Sequence, residues 1–239
     1  MERIGRHRFI TRVALGGALV SSGIPALDSI LTDGFPDRSS VLVLGQSGIG
    51  KEALGYWFTH SGLLQGDYCL YVTHRPVNDV MRDMKAFGVP TDKAPEWIAS
   101  AGSPTKCDLE DFTSISFNLK QAVLKNADRR IRIVTDVVSP LLVLNPQPTM
   151  YQYWSRLLGE LKQSDCVILA TAEEGMHSES TIASLEQQFD GVIELSLQVE
   201  GISITPLLRV KKMLGLAPLH GFFRFSVSNK GMEVAPYVD

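Results

Sequence analysis

Up to about residue 190 the chain alternates short apolar runs with stripes of helical spacing. Val41–Leu44 is an apolar run that ends in a glycine-rich loop. Ala53, Leu54, Trp57, Phe58 and Leu64 then recur at helical spacing. Tyr68–Thr73 is a second run. Val77, Val80, Met81, Met84 and Phe87 follow at the i, i+3, i+4, i+7 spacing of an amphipathic helix, which Gly88 stops ahead of Pro90. Phe112, Ile115, Leu119 and Val123 predict a helix over roughly Leu109–Lys125, and Ile131–Val138 reads as a strand. Tyr153, Trp154, Leu157, Leu158 and Leu161 make the next helical stripe, and Cys166–Thr171 another buried run. Apolar runs without alternation are strands covered on both faces, and strands alternating with helices imply crossovers and a mainly parallel sheet. After Asp190 the texture changes. Val192–Leu197, Ser203–Val210, Phe222–Val227 and Met232–Val234 follow in quick succession with Gly201, Gly215, Gly221 and Gly231 between them, the pattern of antiparallel hairpins closing one side of the sheet.

The chain has 239 residues, 44% of them hydrophobic and 21% charged. That suits one large α/β domain and excludes disorder and collagen-like repeats. The division expected is an arm or leading strand over residues 1–19 and a single domain over 20–239. Arg3, Arg6, Arg8 and Arg12 precede a short apolar stretch broken by Gly16 and Gly17, which does not make a signal peptide. No apolar run reaches the length of a membrane span. A net charge of −3 does not argue for nucleic acid as partner. Of the three cysteines, Cys69 and Cys166 sit in apolar runs and Cys107 does not; their spacing suits no metal site and reads as buried thiols in a reducing cytoplasm.

One stretch carries chemistry. Gly45-Gln46-Ser47-Gly48-Ile49-Gly50-Lys51 follows a buried strand, opens a helix and fits G-x-x-x-x-G-K. Its glycines let the backbone curl into an anion nest, the helix N-terminus adds partial positive charge, and Lys51 adds a full one. The plain alternative is a tight strand-to-helix turn. The residue after the lysine is normally Ser or Thr, whose hydroxyl ligates Mg²⁺; here it is Glu52. A carboxylate can also ligate Mg²⁺, but without metal it stands against a phosphate at a cost of about 4 kcal/mol at ~4 Å and an effective dielectric of ~20. Asp136 ends the run Ile131-Arg132-Ile133-Val134-Thr135. It fits a Walker B carboxylate that holds Mg²⁺, and equally a capping or turn aspartate.

With these residues in place the chain resembles the KaiC-like ATPases of the RecA/RadA superfamily. Ser22-Gly23-Ile24-Pro25-Ala26-Leu27-Asp28, then Asp33-Gly34-Phe35-Pro36, look like that family's opening before its phosphate loop. Asp136–Leu142, Phe189–Leu195, Arg209–Met213 and Ser228–Val234 resemble its later stretches, so the likeness covers about residues 20–235. It implies a RecA-like P-loop core: a mainly parallel twisted sheet, helices on both faces, C-terminal antiparallel hairpins, and ATP or ADP, with or without Mg²⁺, at the C-terminal strand ends. It implies a Walker B role for Asp136 and a homo-oligomer or protein partner; the residues themselves read as phosphate contacts from 45–51 and, where a metal is bound, contacts to it from Asp136 and Glu52.

The departures from that family matter as much. Active relatives end the strand after the first helix in acidic residues, one of which polarises the attacking water; His74 and Arg75 stand there. Arginine stays protonated, and a histidine beside it is a weak base. Glu173 and Glu174, past the Cys166–Thr171 run, are candidate substitutes. In the late hairpin the resemblance implies a lysine followed by an arginine two residues on, both reaching a neighbour's nucleotide. Lys212 is kept and Leu214 replaces the arginine. Lys212 reads as a trans nucleotide contact or as a solvated hairpin lysine. The polar stretch Glu173–Ser180 holds His177 and Ser178 but no Lys or Arg, which argues against nucleic-acid contacts. Arg129, Arg130 and Arg132 read as a solvated turn, and Tyr151, Tyr153 and Trp154 as core and helix-face aromatics. No catalytic residue is assigned. The expectation is a nucleotide-binding regulatory or assembly module with little or no ATP hydrolysis. The alternatives are a slow ATPase with a non-standard base and a nucleotide-free scaffold.

Overall fold

The computed structural model describes residues 17–98 and 111–237. In chain order the elements are β1 (Leu19–Val20), α1 (Pro25–Ile30), β2 (Phe35–Pro36), β3 (Ser40–Gly45), α2 (Lys51–Gln65), β4 (Tyr68–Val72), α3 (Val77–Ala86) and β5 (Glu96–Ile98). Then come α4 (Phe112–Lys125), β6 (Ile131–Thr135), α5 (Val138–Leu144), α6 (Gln147–Leu161), β7 (Cys166–Glu173), α7 (Glu179–Gln188), β8 (Gly191–Glu200), β9 (Ser203–Met213), β10 (Phe223–Ser228) and β11 (Gly231–Pro236).

Nine strands form one sheet in the order β11-β10-β9-β8-β3-β7-β6-β4-β5. β8, β3, β7, β6, β4 and β5 run parallel, and β9, β10 and β11 add on antiparallel beyond β8. The expected α/β class and the hairpins on one side of the sheet are both present. Alternate residues of each central strand feed two cores. Val41 and Val43 join Leu54, Phe58, Val80 and Met84 on the α1–α3 face. Leu42 and Leu44 join Ile115, Leu141, Trp154 and Leu185 on the α4–α7 face. That is the double burial expected of a parallel sheet clad in helices.

Local chemistry fixes the ends. The Asp111 side chain caps α4 through Ser114 N–H, and the Ser178 side chain caps α7 through Thr181 N–H. Asp28 in α1 accepts from Ser22 N–H at 2.7 Å and Ser21 Oγ at 2.6 Å, which ties the incoming chain to the helix. Asp190 accepts from Ser40 N–H at 2.8 Å and from Lys162 at 2.9 Å, which ties the starts of β3 and β8 together.

Several expectations are corrected. Ile131–Val138 is not one strand: β6 stops at Thr135, and Val138 opens α5. Asp136 N–H still donates to Val72 O at 3.2 Å, but Val137 N–H turns back to Thr135 Oγ1, and the chain leaves the sheet. The helix expected from Leu109 starts at Phe112. Leu109 and Cys107 lie outside the described residues, as do the arm residues Arg3, Arg6, Arg8, Arg12 and Gly16. Cys69 and Cys166 are buried free thiols. Trp154 is buried, Tyr153 meets Phe112 and Trp154 edge-on, and Tyr151 is exposed, as core and helix-face aromatics should be.

The largest correction concerns Arg132. It is not in a solvated turn but on β6, and its side chain is 0% exposed. Its guanidinium donates to Asp67 at 2.7 Å, Ser21 O at 2.7 Å, Phe58 O at 3.1 Å and Gln65 at 3.2 Å, and lies over the Phe58 ring. Gly62 makes room, since a Cβ there would come 2.5 Å from Arg132 Cδ. One buried cation thus joins β6, α2, the α2–β4 turn and the entry segment. Arg132→Ala should lower the unfolding free energy in urea by about 3–5 kcal/mol, because Asp67 is left without its cation. Arg130→Ala, which loses a partly exposed 3.5 Å pair with Asp165, should change it by less than about 1 kcal/mol.

Candidate functional site

β3 ends at Gly45 and α2 begins at Lys51, so residues 46–50 turn the chain at the C-terminal edge of the sheet. Gly48 has φ +77° and Gly50 φ +100°, left-handed values at which an L side chain is strained. A Cβ on Gly48 would meet nothing, whereas one on Gly50 would press on Val227 of β10 at 3.0 Å. Gly45 is packed more tightly still, with Ile49 Cγ2 and Leu195 O both 2.9 Å from a built Cβ. Gln46 O accepts from Ile49 N–H at 3.3 Å and closes the curl. Gln46 and Ser47 are exposed on it. The strand–curl–helix arrangement that the motif requires is formed.

Lys51 is 1% exposed. Its ammonium donates to Gln46 O at 2.9 Å and to Glu173 Oε2 at 3.0 Å. Glu173 ends β7 and is the register partner of Gly45 across the β3–β7 ladder. Its own N–H donates to Ser139 Oγ at 2.8 Å, and that hydroxyl also lies 2.9 Å from His177 Nε2. Burial lowers the His177 pKa, against an opposing pull from Glu173, which favours a neutral ring. Glu173 therefore lies on the rim, as its expected role as a substitute acid required, but its carboxylate is engaged by the phosphate-loop lysine.

Beside the loop is a cleft of about 450 Å³ lined by Glu52, His74, Arg75, Asp136, Ser139 and Glu173, with Val143, Leu144 and Met176 at its lip. Asp136 accepts from Thr73 Oγ1 at 2.7 Å, and its Oδ1 is buried without a hydrogen-bond partner. Burial is the main reason its pKa is raised to about 7, and the charge of Glu52 pushes the same way. His74 Nδ1 lies 3.9 Å from Asp136 Oδ1. Burial and the charge of Arg75 both lower the His74 pKa, so the ring is neutral and weakly basic. Arg75 is held by Asp83 and by the Tyr56 hydroxyl, at 3.2 Å for the latter. The structure thus brings Gly45–Glu52, His74, Arg75 and Asp136 to one edge. It does not bring Lys212 or Leu214 there. Lys212 pairs with Val192 near the start of β8, towards the opposite end of the sheet, where its ammonium donates to Glu186 O at 2.7 Å.

Sequence reasoning did not find Ser139 and His177 as the anchor of Glu173, or Glu173 as the partner of Lys51. The Glu173–Lys51 contact spans 122 positions, and only the adjacency of β7 and β3 reveals it. Among the described residues no cluster of three or more His, Cys, Asp and Glu side chains is arranged to hold a metal. A protein-only cage is not needed for Mg²⁺, which keeps waters and phosphate oxygens and takes one or two carboxylates. The free Oδ1 of Asp136, with Glu52 on the same cleft wall, fits that demand.

A family model described as the KaiC ATPase matches residues 20–238. A UPF0273 protein of Methanopyrus kandleri is 29% identical over 236 residues, covering 91% of this chain and 92% of that one. The circadian clock protein KaiC2 of Synechocystis is 26% identical over 231 residues, covering 90% of this chain and 39% of the clock protein. The crystal structure of a KaiC-like protein from Pyrococcus horikoshii superposes with a TM-score of 0.76 at 22% identity, over 92% of this chain and all of that one. The chain belongs to the KaiC ATPase family.

The raised Asp136 pKa sets a pH dependence. Between about 4 and about 7 the folded ligand-free protein holds a proton on Asp136 that the unfolded chain has released. This group's contribution is complete below the unfolded value and is lost as pH rises through the folded one. Asp136→Asn should therefore flatten the fall in unfolding free energy over that window. At pH 8 it should be more stable than wild type by up to about 4 kcal/mol in urea titrations without metal or nucleotide.

Proposed function

We propose that this KaiC-family chain binds adenine nucleotide at Gly45–Lys51 and hydrolyses it very slowly or not at all, the bound nucleotide serving to bias assembly or partner contacts. The observation that carries the reading is the end of β4. Where the resemblance calls for a water-polarising acid, the chain presents a neutral His74 and an Arg75 held by Asp83 and Tyr56. Neither group takes a proton from water readily at neutral pH. Support for the binding half comes from the left-handed glycines, the helix start and the lysine at the loop.

In this reading Gly45, Gln46, Ser47, Gly48, Ile49, Gly50 and Lys51 hold the phosphates. Asp136 and Glu52 hold Mg²⁺, which when bound supplies charge neutralisation at the phosphate oxygens. Lys212 lies too far along the sheet to serve its own chain's loop, so any contact it makes with nucleotide is to that of a neighbouring copy. Leu214 supplies no charge there. Among the described residues no helix is long and apolar enough to cross a membrane. A second reading, the nucleotide-free scaffold, is favoured by one observation: the Lys51 ammonium already has a carboxylate. Slow hydrolysis with a non-standard base finds its nearest candidate in that same Glu173.

A thermal melt with millimolar ATP, with and without Mg²⁺, separates binding from scaffold. Wild type should gain several degrees, and Lys51→Ala should gain nothing. No shift in wild type would discard the nucleotide reading. Glu52→Thr should raise Mg·ATP affinity about tenfold, read by calorimetry, because it removes a carboxylate from beside the phosphates and restores the hydroxyl ligand. Phosphate release by wild type should stay near the Lys51→Ala background.

A further inference from the structure

The phosphate-loop lysine and the end of β7 form a closed contact. Lys51 is almost wholly buried, yet a full carboxylate meets its ammonium at 3.0 Å. That carboxylate is not a loose surface group. The β3–β7 register sets Glu173 opposite Gly45, and Glu174 N–H donates to Gly45 O at 3.0 Å just beyond it. Ser139 accepts the Glu173 N–H and is itself joined by His177. Three elements, β7, α5 and the turn leading to α7, thus fix the backbone from which the carboxylate reaches Lys51.

We propose that Glu173 is an internal anion that occupies the phosphate-loop lysine, so that a ligand must displace it to bind. This deepens the nucleotide reading and rests on it. A polyphosphate chain carries several charges and engages the curl of residues 46–50 as well as Lys51, so it replaces the Glu173 contact with more than it removes. A single inorganic phosphate offers little beyond what the carboxylate supplies and is excluded. Glu173 therefore sets an affinity threshold: its displacement costs every anion the same, so an anion with further contacts to the curl binds measurably and a lesser one does not. A buried ammonium without an anion is strongly unfavourable, so the same contact also stabilises the ligand-free fold.

The test compares wild type with Glu173→Gln for ATP, tripolyphosphate and inorganic phosphate by calorimetry without metal. The glutamine keeps the shape and a carbonyl acceptor while removing the charge. A charge-assisted hydrogen bond released in this way corresponds to a gain of about tenfold or more in ATP and tripolyphosphate affinity. Inorganic phosphate binding should become measurable in the variant alone. Equal or weaker ATP binding by Glu173→Gln, with wild type binding, would overturn the inference and leave the nucleotide reading intact. Binding by neither protein would remove the nucleotide reading, and this inference with it. A wild-type structure with ATP gives the second measure and does not depend on the variant folding. Glu173 should stand beyond hydrogen-bond distance from Lys51 Nζ, and an intact ion pair beside bound phosphates would refute displacement.

Discussion

A lysine that must meet phosphate has to sit at the floor of its loop, and there it has almost no contact with water. An ammonium in that position needs an anion at all times, whether or not a ligand is present. Most of the rim follows from this demand. Glu173 supplies the anion, Gln46 O supplies a second acceptor, and Ser139 and His177 hold Glu173 in place. The sheet order makes the solution available, because β7 lies beside β3 and ends level with it. The phosphate loop of this chain is thus a pre-shaped curl whose charge is already answered from within.

The same economy runs along the rest of the C-terminal edge. Thr73 answers one oxygen of Asp136, and Asp83 and Tyr56 answer Arg75. The other oxygen of Asp136 has no hydrogen-bond partner, although it is buried. Burial and Glu52 relieve that strain by favouring the protonated acid. A bound cation would relieve it in another way, because it replaces the proton as the positive partner. In the proposed reading a proton and a cation would therefore be alternative partners for Asp136.

Much of this fold was legible because its signals are local. The period of the apolar stripes gave α2, α3 and α6, and the uninterrupted apolar runs gave β3, β4 and β7. The phosphate loop was legible because its glycines do one thing: Gly48 and Gly50 have the positive φ the curl needs. The errors have physical causes too. Val137 and Val138 read as strand because they are β-branched, yet the Thr135 hydroxyl turns the backbone out of the sheet. Arg132 read as a solvated member of a basic cluster because nothing local distinguishes it from Arg129 and Arg130. Its burial depends on Asp67, on two carbonyls from other elements and on the gap left by Gly62. Asp28 and Asp190 were read only as parts of a resemblance; the structure supplies their physical role as clamps on backbone amides. The Glu173 contact was hidden for another reason: Lys51 and Glu173 both stand out in the sequence, but their adjacency depends on strand order, which is not written in periodicity.

The departures from the family pattern are coherent when the charges of the rim are taken together. Glu52, Asp136 and Glu173 share one cleft, and the cations beside them, Lys51 and Arg75, are each bound to a carboxylate already. An incoming polyphosphate therefore meets a net acidic mouth, unlike the basic one that a fast phosphoryl-transfer site presents. Such a mouth slows entry of a naked anion and favours one that arrives with its own cation. In the reading proposed above, the engaged Glu173 and Arg75 leave neither a free general base nor a free positive charge at this rim. Glu at position 52 and His-Arg at 74–75 bear on this one edge, whereas Leu214 lies away from it near the start of β8. Both changes fit the slow or absent turnover proposed above and leave the curl of residues 45–51 untouched. Gly48 has open space around it and is held to glycine by its backbone angle. That angle is what the proposed anion-holding role requires of the curl.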